Sequence, residues 1–317
     1  MLVYVLKRLL YAVAILIVIS FLVFAIMYKA GDPTELLLPP DATHQDVVAL
    51  KQYLGLDQPF HVQYWRFLTH AIHGDVGRSF IYGQPALQVV FERLPATLEL
   101  ASTAMLISII LGIPLGVIAA IKPQSFSSQG IMFFSLLGIS IPVFWTGMVL
   151  VLVFSVILGV LPSSGRGALF CHTSLLTLDG IKHIIMPAIT LALFQLALII
   201  RLTRTGMLEV LMEDYIKLAR AKGLPRRVVV FVHALKNTLI PVITITGIQF
   251  GQLIAFAIVT ETIFAWPGTG KLIIDSIQNL DRPVVVAYLL VVATIFVFIN
   301  FIVDILYTFV DPRIRVK

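Results

Sequence analysis

Asp214-Tyr215-Ile216-Lys217-Leu218-Ala219-Arg220-Ala221-Lys222-Gly223-Leu224-Pro225 is the one stretch with the look of a soluble helix in a chain otherwise written for a bilayer. Apolar Ile216, Leu218 and Ala219 mix at helical spacing with Lys217, Arg220 and Lys222. Gly223 is placed to end that helix in a left-handed cap, with Leu224 as the apolar residue just after it. Pro225 can open a following helix, because its missing N–H costs nothing there. The chain continues through Val228 to Val232, His233, Lys236 and Asn237 to Pro241. The whole reads as a basic helix–Gly–helix hairpin between two membrane spans, which is the form of a docking element.

Composition carries the membrane reading. Apolar residues are 59% of the 317 and charged residues only 13%, where soluble domains have about 25%. Several apolar runs reach ~20 residues, enough for a helix to cross ~30 Å of hydrocarbon. Working outward from the hairpin, the expected spans are Ile184–Leu202 before it and Leu239–Ile263 and Val284–Val310 after it. Leu9–Tyr28, Thr97–Ile121 and an overlong or tilted Ile131–Leu158 come earlier. The expected fold is an all-α integral membrane protein with six transmembrane helices. The first span is longer than the apolar core of a signal peptide and has no small-x-small cleavage site after it, so it reads as a retained anchor.

Basic residues set the orientation. Lys7 and Arg8 precede the first span, and Lys122 lies between the second and third. Arg201, Arg204, Lys217, Arg220, Lys222, Arg226, Arg227 and Lys236 crowd the region between the fourth and fifth, and Arg313, Arg315 and Lys317 close the chain. With six spans these regions share one side, so both termini are expected in the cytoplasm. The net charge of +6 is then a positive-inside bias. No soluble basic domain remains to bind nucleic acid. The expected organisation is an N-terminal end and first span over 1–29 and an extracytoplasmic loop over 30–95. A five-helix core over 96–310 holds the hairpin at 203–238, and a cytoplasmic tail covers 311–317. In the long loop, Asp46–Leu54 and Val62–Ile72 read as short amphipathic helices. The second carries Tyr64, Trp65, Phe67 and Leu68 and would lie at the membrane interface.

The search for chemistry returns little. Cys171 is the lone cysteine, so neither an internal disulfide nor a cysteine-based metal site is available. Trp266-Pro267-Gly268-Thr269-Gly270-Lys271-Leu272 imitates part of a phosphate loop. Leu272 stands where Ser or Thr is required and Ala265 where the leading Gly should be. His70 and His73 could share a helix face as metal ligands do, but no third ligand is fixed in sequence, and interfacial polar residues are the favoured reading. No catalytic set, cofactor site or metal site is expected.

Polar residues inside spans are functional candidates by default. Glu99 and Glu261 fall near the outer ends of the second and fifth spans, and Asn300 and Asp304 share a face of the sixth. Glu99, Glu261, Gln249, Gln252 and Pro142 are the candidates for a translocation path, against a structural role for the acids at the headgroup level. Gly112-Ile113-Pro114-Leu115-Gly116 and Gly138-Ile139-Ser140-Ile141-Pro142 are expected to soften two helices. The small residues Gly247 and Gly251 mark either a pathway wall or close helix packing.

The chain resembles inner-membrane permeases of the peptide/nickel branch of ABC importers. The resemblance rests on ordered blocks: Gly31-Asp32-Pro33, Leu54-Gly55-Leu56-Asp57-Gln58-Pro59, Gly74-Asp75-Val76-Gly77-Arg78-Ser79 and Leu94-Pro95-Ala96-Thr97-Leu98-Glu99-Leu100. The hairpin, Glu261-Thr262-Ile263-Phe264-Ala265-Trp266-Pro267-Gly268 and Asp311-Pro312-Arg313 complete the set. It implies the ABC type I importer permease fold with a long first extracytoplasmic loop, in the bacterial inner membrane. It also implies a heterodimer with a sister permease subunit, two ATP-binding subunits that hydrolyse ATP, and an extracytoplasmic solute-binding protein.

The hairpin resembles the cytoplasmic EAA loop that couples such permeases to their ATPases. By position, the ATPase-coupling residues would be Asp214, Tyr215, Lys217, Ala219, Arg220, Ala221, Lys222, Gly223, Leu224, Pro225 and Asn237. Ala219 and Gly223 fall on the motif's small residues. Lys217 departs from the general motif, which has Glu, and reads as a marker of the peptide branch. The implied substrate is a di- or oligopeptide, with nickel or glutathione as alternatives in the same family. A self-sufficient secondary transporter or channel is the reading from another class. It usually shows repeated halves and intramembrane ion sites, and neither stands out here.

Overall fold

A computed structural model describes residues 2–29, 34, 38 and 42–310, with backbone alone at 2–5, 53–54 and 304–310. The blocks Gly31-Asp32-Pro33 and Asp311-Pro312-Arg313 lie outside the described residues, as does the side chain of Asp304. Among the described residues the regular structure is helical, with two isolated β-bridges and no named strand. The helices are α1 (Leu2–Lys29), α2 (His44–Leu54), α3 (Phe60–Ile72), α4 (Ala86–Ile121), α5 (Phe126–Ser140), α6 (Val143–Ile157) and α7 (Leu178–Val210). They continue as α8 (Asp214–Ala221), α9 (Arg226–Phe256), α10 (Ile258–Ile263), α11 (Thr269–Gln278) and α12 (Arg282–Val310). Five of them are long and apolar enough to cross a membrane, and the bent pair α5–α6 makes a sixth if it is one span.

That pair is where the expected spans depart most from the structure. Ile131–Leu158 is not one tilted helix: α5 and α6 meet at 104°. Pro142 lacks the N–H that would continue the ladder and biases the residue before it away from helical geometry. Ile141 is accordingly extended, at φ −85° and ψ 128°, and closes α5. The helix softening expected at Gly112-Ile113-Pro114-Leu115-Gly116 does not appear as a break, because α4 runs on through it.

The chain divides into two compact units. The first comprises Met1–Pro95 and Pro267–Phe301. In it, α2 opens on a capping box in which the Thr43 side chain accepts from the Asp46 N–H and the Asp46 carboxylate accepts from the Thr43 N–H at 2.9 Å. Gly55, at φ 69°, ends that helix. The Ser79 hydroxyl donates to the buried Asp281 carboxylate, whose other oxygen accepts from the Phe80 N–H at 3.1 Å. This staple ties the loop before α4 to the turn before α12.

The second unit comprises Ala96–Trp266 and Ile302–Lys317, with α7 as its central post. Helices α5, α6, α9 and α10 pack on α7. The α4 segment lies so close that a Cβ on Gly116 would stand 2.6 Å from Thr203 Cβ and 2.8 Å from the Ile200 carbonyl oxygen. Gly112 faces Ile199 and Gly138 faces the Leu193 carbonyl in the same way. The glycines in these helices serve close backbone approach.

Candidate coupling site

Helix α8 is amphipathic over only eight residues, and its inner face is fixed by a specific core. Ile216 and Ala219 are buried with Met207 of α7, Val117 and Ala120 of α4, and Val229, Val230 and Ala234 at the start of α9. A larger residue at 219 would have to displace part of that cluster. The first turns of α9 are wound as a π-helix over Val229–Ala234.

The cap at the end of α8 is a Schellman motif. The Gly223 N–H donates to the Arg220 carbonyl at 2.9 Å, and the Leu224 N–H donates to the Ala219 carbonyl at 3.3 Å. Gly223 sits at φ 78°, in the left-handed region where only glycine is unstrained. Pro225 stands one place before the next helix, extended at φ −61° and ψ 144°. The reversal of chain direction is therefore written into three consecutive residues.

The other expected residues are presented outward. Asp214 and Lys217 form an exposed ion pair at 2.7 Å. Arg220, Ala221 and Lys222 are exposed. The Asn237 amide donates to the Tyr215 hydroxyl at 2.6 Å, joining α8 to α9 across the turn. Arg226 reaches the Ile121 carbonyl at the end of α4, at 3.4 Å. Apolar side chains share this surface: Leu218 is 56% exposed, Met212 72%, and Phe231 and Val232 56% each. Sequence reasoning missed Met212, Phe231 and Val232 as members of the surface. Met212 lies in the link between α7 and α8, and Phe231 and Val232 lie in an apolar run wound as a π turn, which no residue pattern announces.

The candidate path residues do not form one constellation. Glu99 and Glu261 belong to a buried polar cluster near the start of the α4 segment in this unit. One Glu99 carboxylate oxygen accepts from Thr173 Oγ1 (2.6 Å), the Ser174 N–H (2.6 Å), Ser174 Oγ (2.9 Å) and the Leu175 N–H (3.2 Å). The other accepts from Arg166 Nε at 2.8 Å and from a second guanidinium nitrogen. The guanidinium carbon of Arg166 lies 5.9 Å from the Trp266 ring centroid. Trp266 is fully buried and donates from Nε1 to the Ala96 carbonyl at 2.9 Å. Thr97 donates to the fully buried Glu261 at 2.7 Å.

Pro142 sits at the bend between α5 and α6, while Gln249 and Gln252 lie on α9, Gln252 exposed. The amide oxygen of Gln249 is buried with no hydrogen-bond partner. His70 and His73 turn their Nδ1 atoms to carbonyls of their own helix, each at 2.7 Å. No group of three or more metal-ligating side chains forms among the described residues.

Five or six helices long and apolar enough to cross a membrane, with one short basic hairpin between two of them, define a multi-pass membrane protein. The chain belongs to the family described as the inner membrane component of binding-protein-dependent transport systems. That family's model matches residues 112–316, and a model of its N-terminal part matches residues 1–101. The protein is an inner-membrane permease component of an ABC importer.

It is 40% identical to the dipeptide transport system permease protein DppB of Alkalihalophilus pseudofirmus, over 99% of this chain and all of that one. It is 44% identical to a di/tripeptide transport system permease protein of Pseudomonas aeruginosa, over 94% of each. It is also 40% identical to the glutathione transport system permease protein GsiC of Salmonella paratyphi A, over the full length of both. Among solved structures, the MetNI methionine ABC transporter in an inward-facing form aligns with a TM-score of 0.55 at 16% identity. That alignment covers 71% of this chain and 97% of the other, and establishes the type I importer permease fold.

Proposed function

We propose that this chain is the permease subunit through which di- and oligopeptides, delivered by a solute-binding protein, enter the cell. It works as one half of a heterodimer with a sister permease, driven by two ATP-binding subunits that hydrolyse ATP on the cytoplasmic side. Both termini and α8 face that side, where the basic residues crowd. The observation that carries the coupling role is the α8 knob, a Schellman-capped helix whose buried face rests on the ends of three long helices. A push on its exposed face is delivered to α4, α7 and α9 together, because a packed core shifts as a unit rather than deforming.

The cycle follows from differential binding. ATP holds the paired ATPases closed, the knob carries that displacement into the helices, and the outward-open state takes substrate from the binding protein. Hydrolysis releases the constraint. A ligand shifts such an equilibrium only as far as its affinities for the two states differ. The permease can therefore be tolerant while the binding protein selects. In this reading Glu99 serves as a post for the loop that follows α6 and Glu261 holds Thr97 of α4, and Pro142, Gln249 and Gln252 are the candidates for the path.

The test is uptake in a strain expressing the complete operon, with and without this gene, offered labelled dipeptide, labelled glutathione and nickel in parallel. Loss of dipeptide uptake alone is the expected outcome. Loss of glutathione uptake alone would move the substrate to the tripeptide thiol, a second reading favoured by the full-length glutathione permease relatives. Loss of nickel uptake alone would overturn the peptide assignment.

A further inference from the structure

Helix α3 has two apolar sides, and only one is covered by protein. On the inner side Phe60, Tyr64 and Phe67 clasp the rings of Phe21, Phe24 and Tyr28 of α1, with centroids 5.1–5.7 Å apart. The Tyr64 hydroxyl lies 3.0 Å from Ser20 Oγ. On the outer side Val62 is 40% exposed, Trp65 66% and Ile72 75%. Residues 62, 65, 69 and 72 fall on one stripe at 3.6 residues per turn, and no residue of α3 is buried.

The contacts to α1 set the depth of α3. Leu6–Lys29 of α1 is long and apolar enough to cross a membrane, and Ser20 lies nine residues before its end. At 1.5 Å per residue that is about 13 Å along the axis, against a half-thickness of roughly 15 Å for the hydrocarbon layer. A helix whose Tyr64 hydroxyl bonds to Ser20 is not perched above the headgroups. Polar side chains in the last turns of α3 also turn back to its own backbone, which leaves them less in need of water. The Thr69 hydroxyl, on the outer stripe, donates back to the Arg66 carbonyl at 2.9 Å. The rings of His70 and His73 fold onto the carbonyls of Arg66 and Thr69, each at 2.7 Å.

We propose that α3 is sunk into the leaflet on the Lys29 side of α1, with the Val62–Trp65–Thr69–Ile72 stripe in contact with lipid acyl chains. The occupant is bilayer lipid because the bond to Ser20 sets α3 beside the half of α1 whose own outward apolar side chains, Val18 at 57% and Leu22 at 52% exposed, are bare of protein. Trp65 and Arg66 can reach back towards the headgroups, as amphipathic side chains do. The inference rests on α1 being a span and not on the substrate.

The test reads depth directly. In the assembled importer, with Cys171 replaced by Ser, single cysteines at 62, 65 and 72 are spin-labelled in nanodiscs of phosphatidylethanolamine and phosphatidylglycerol. Collision rates with oxygen and with a water-soluble nickel chelate are then compared. Val18→Cys supplies the lipid reference and Gln52→Cys, on α2, the water reference. The proposal expects oxygen to exceed the chelate at all three positions, as at Val18, and Phe67→Cys on the clasp face to be shielded from both. Strong chelate collisions at 62, 65 and 72 would place the stripe in water and overturn the proposal. Shielding from both reagents at those positions would place it under another protein surface and overturn it equally. Because transport is never the readout, failure here leaves the peptide assignment untouched.

Discussion

Gly223 shows how much one backbone angle can carry. Its φ of 78° lies in the left-handed region, and a Cβ there would meet nothing within 4 Å, so any cost of substitution is conformational rather than steric. Asn tolerates this conformation, whereas Ala is disfavoured by about 1–2 kcal/mol. Pro can neither reach that φ nor donate the N–H that bonds to the Arg220 carbonyl. Uptake should therefore fall in the order Gly223→Asn, Gly223→Ala, Gly223→Pro. The last should be inactive although the protein still reaches the membrane in normal amount, as an immunoblot of membrane fractions would record. Normal transport by Gly223→Pro would remove the coupling role from α8.

Glu99 makes the opposite case, since its identity was legible and its partners were not. The sequence marks an acid at the end of a span but says nothing of Arg166 or Thr173, which are 67 and 74 residues away. The Glu99 side chain is 6% exposed and that of Arg166 13%, so removing one partner leaves a largely desolvated charge, a loss of roughly 3–5 kcal/mol. Glu99→Ala should lower the thermal midpoint of the purified importer and open the 159–177 loop to protease. Arg166→Ala should do the same. The double variant should cost less than the sum of the two, because the pair is lost only once.

Helices made of apolar runs were legible as elements, and their interruptions only in part. Only a softening was expected at Pro142, within a span running on to Leu158; the helix in fact ends there, and the bend follows from local chemistry. Gly112 and Gly116 suggested a softened helix, yet α4 passes through them unbroken because the tertiary contact decides. The two glycines let α4 rest on Ile199 and Thr203 of α7, a fact held in the partner helix and invisible in α4 alone. The difference is measurable. Gly116→Ala places a Cβ against a backbone carbonyl that cannot rotate away, and such overpacking costs typically 1–3 kcal/mol. Gly130→Ala meets open space and should be neutral or slightly stabilising through helix propensity. Thermal unfolding of the two variants in detergent should separate them by several degrees. Equal midpoints would mean that α4 and α7 are not packed as closely as the structure places them.

For the whole molecule, the chain supplies its own topological probe. Cys171 is the only cysteine in 317 residues and is exposed, in the loop between α6 and α7. If the positive-inside reading is right, that loop is extracytoplasmic and α8 is cytoplasmic, so the two must answer in opposite senses to a reagent that cannot cross the membrane. A maleimide bearing sulfonates should label the wild-type protein in right-side-out vesicles and leave it unlabelled in inverted ones. With Cys171 replaced by Ser, Leu218→Cys on the exposed face of α8 should label only in inverted vesicles. The assembled ATPases should protect Leu218→Cys from the reagent and leave Cys171 as reactive as before. Labelling of both positions from one side would contradict the orientation and detach α8 from the compartment that holds ATP. Labelling from opposite sides with no protection by the ATPases would keep the orientation and remove α8 from the docking surface. Topology and coupling are thus separable, although in the sequence they rest on the same crowd of basic residues.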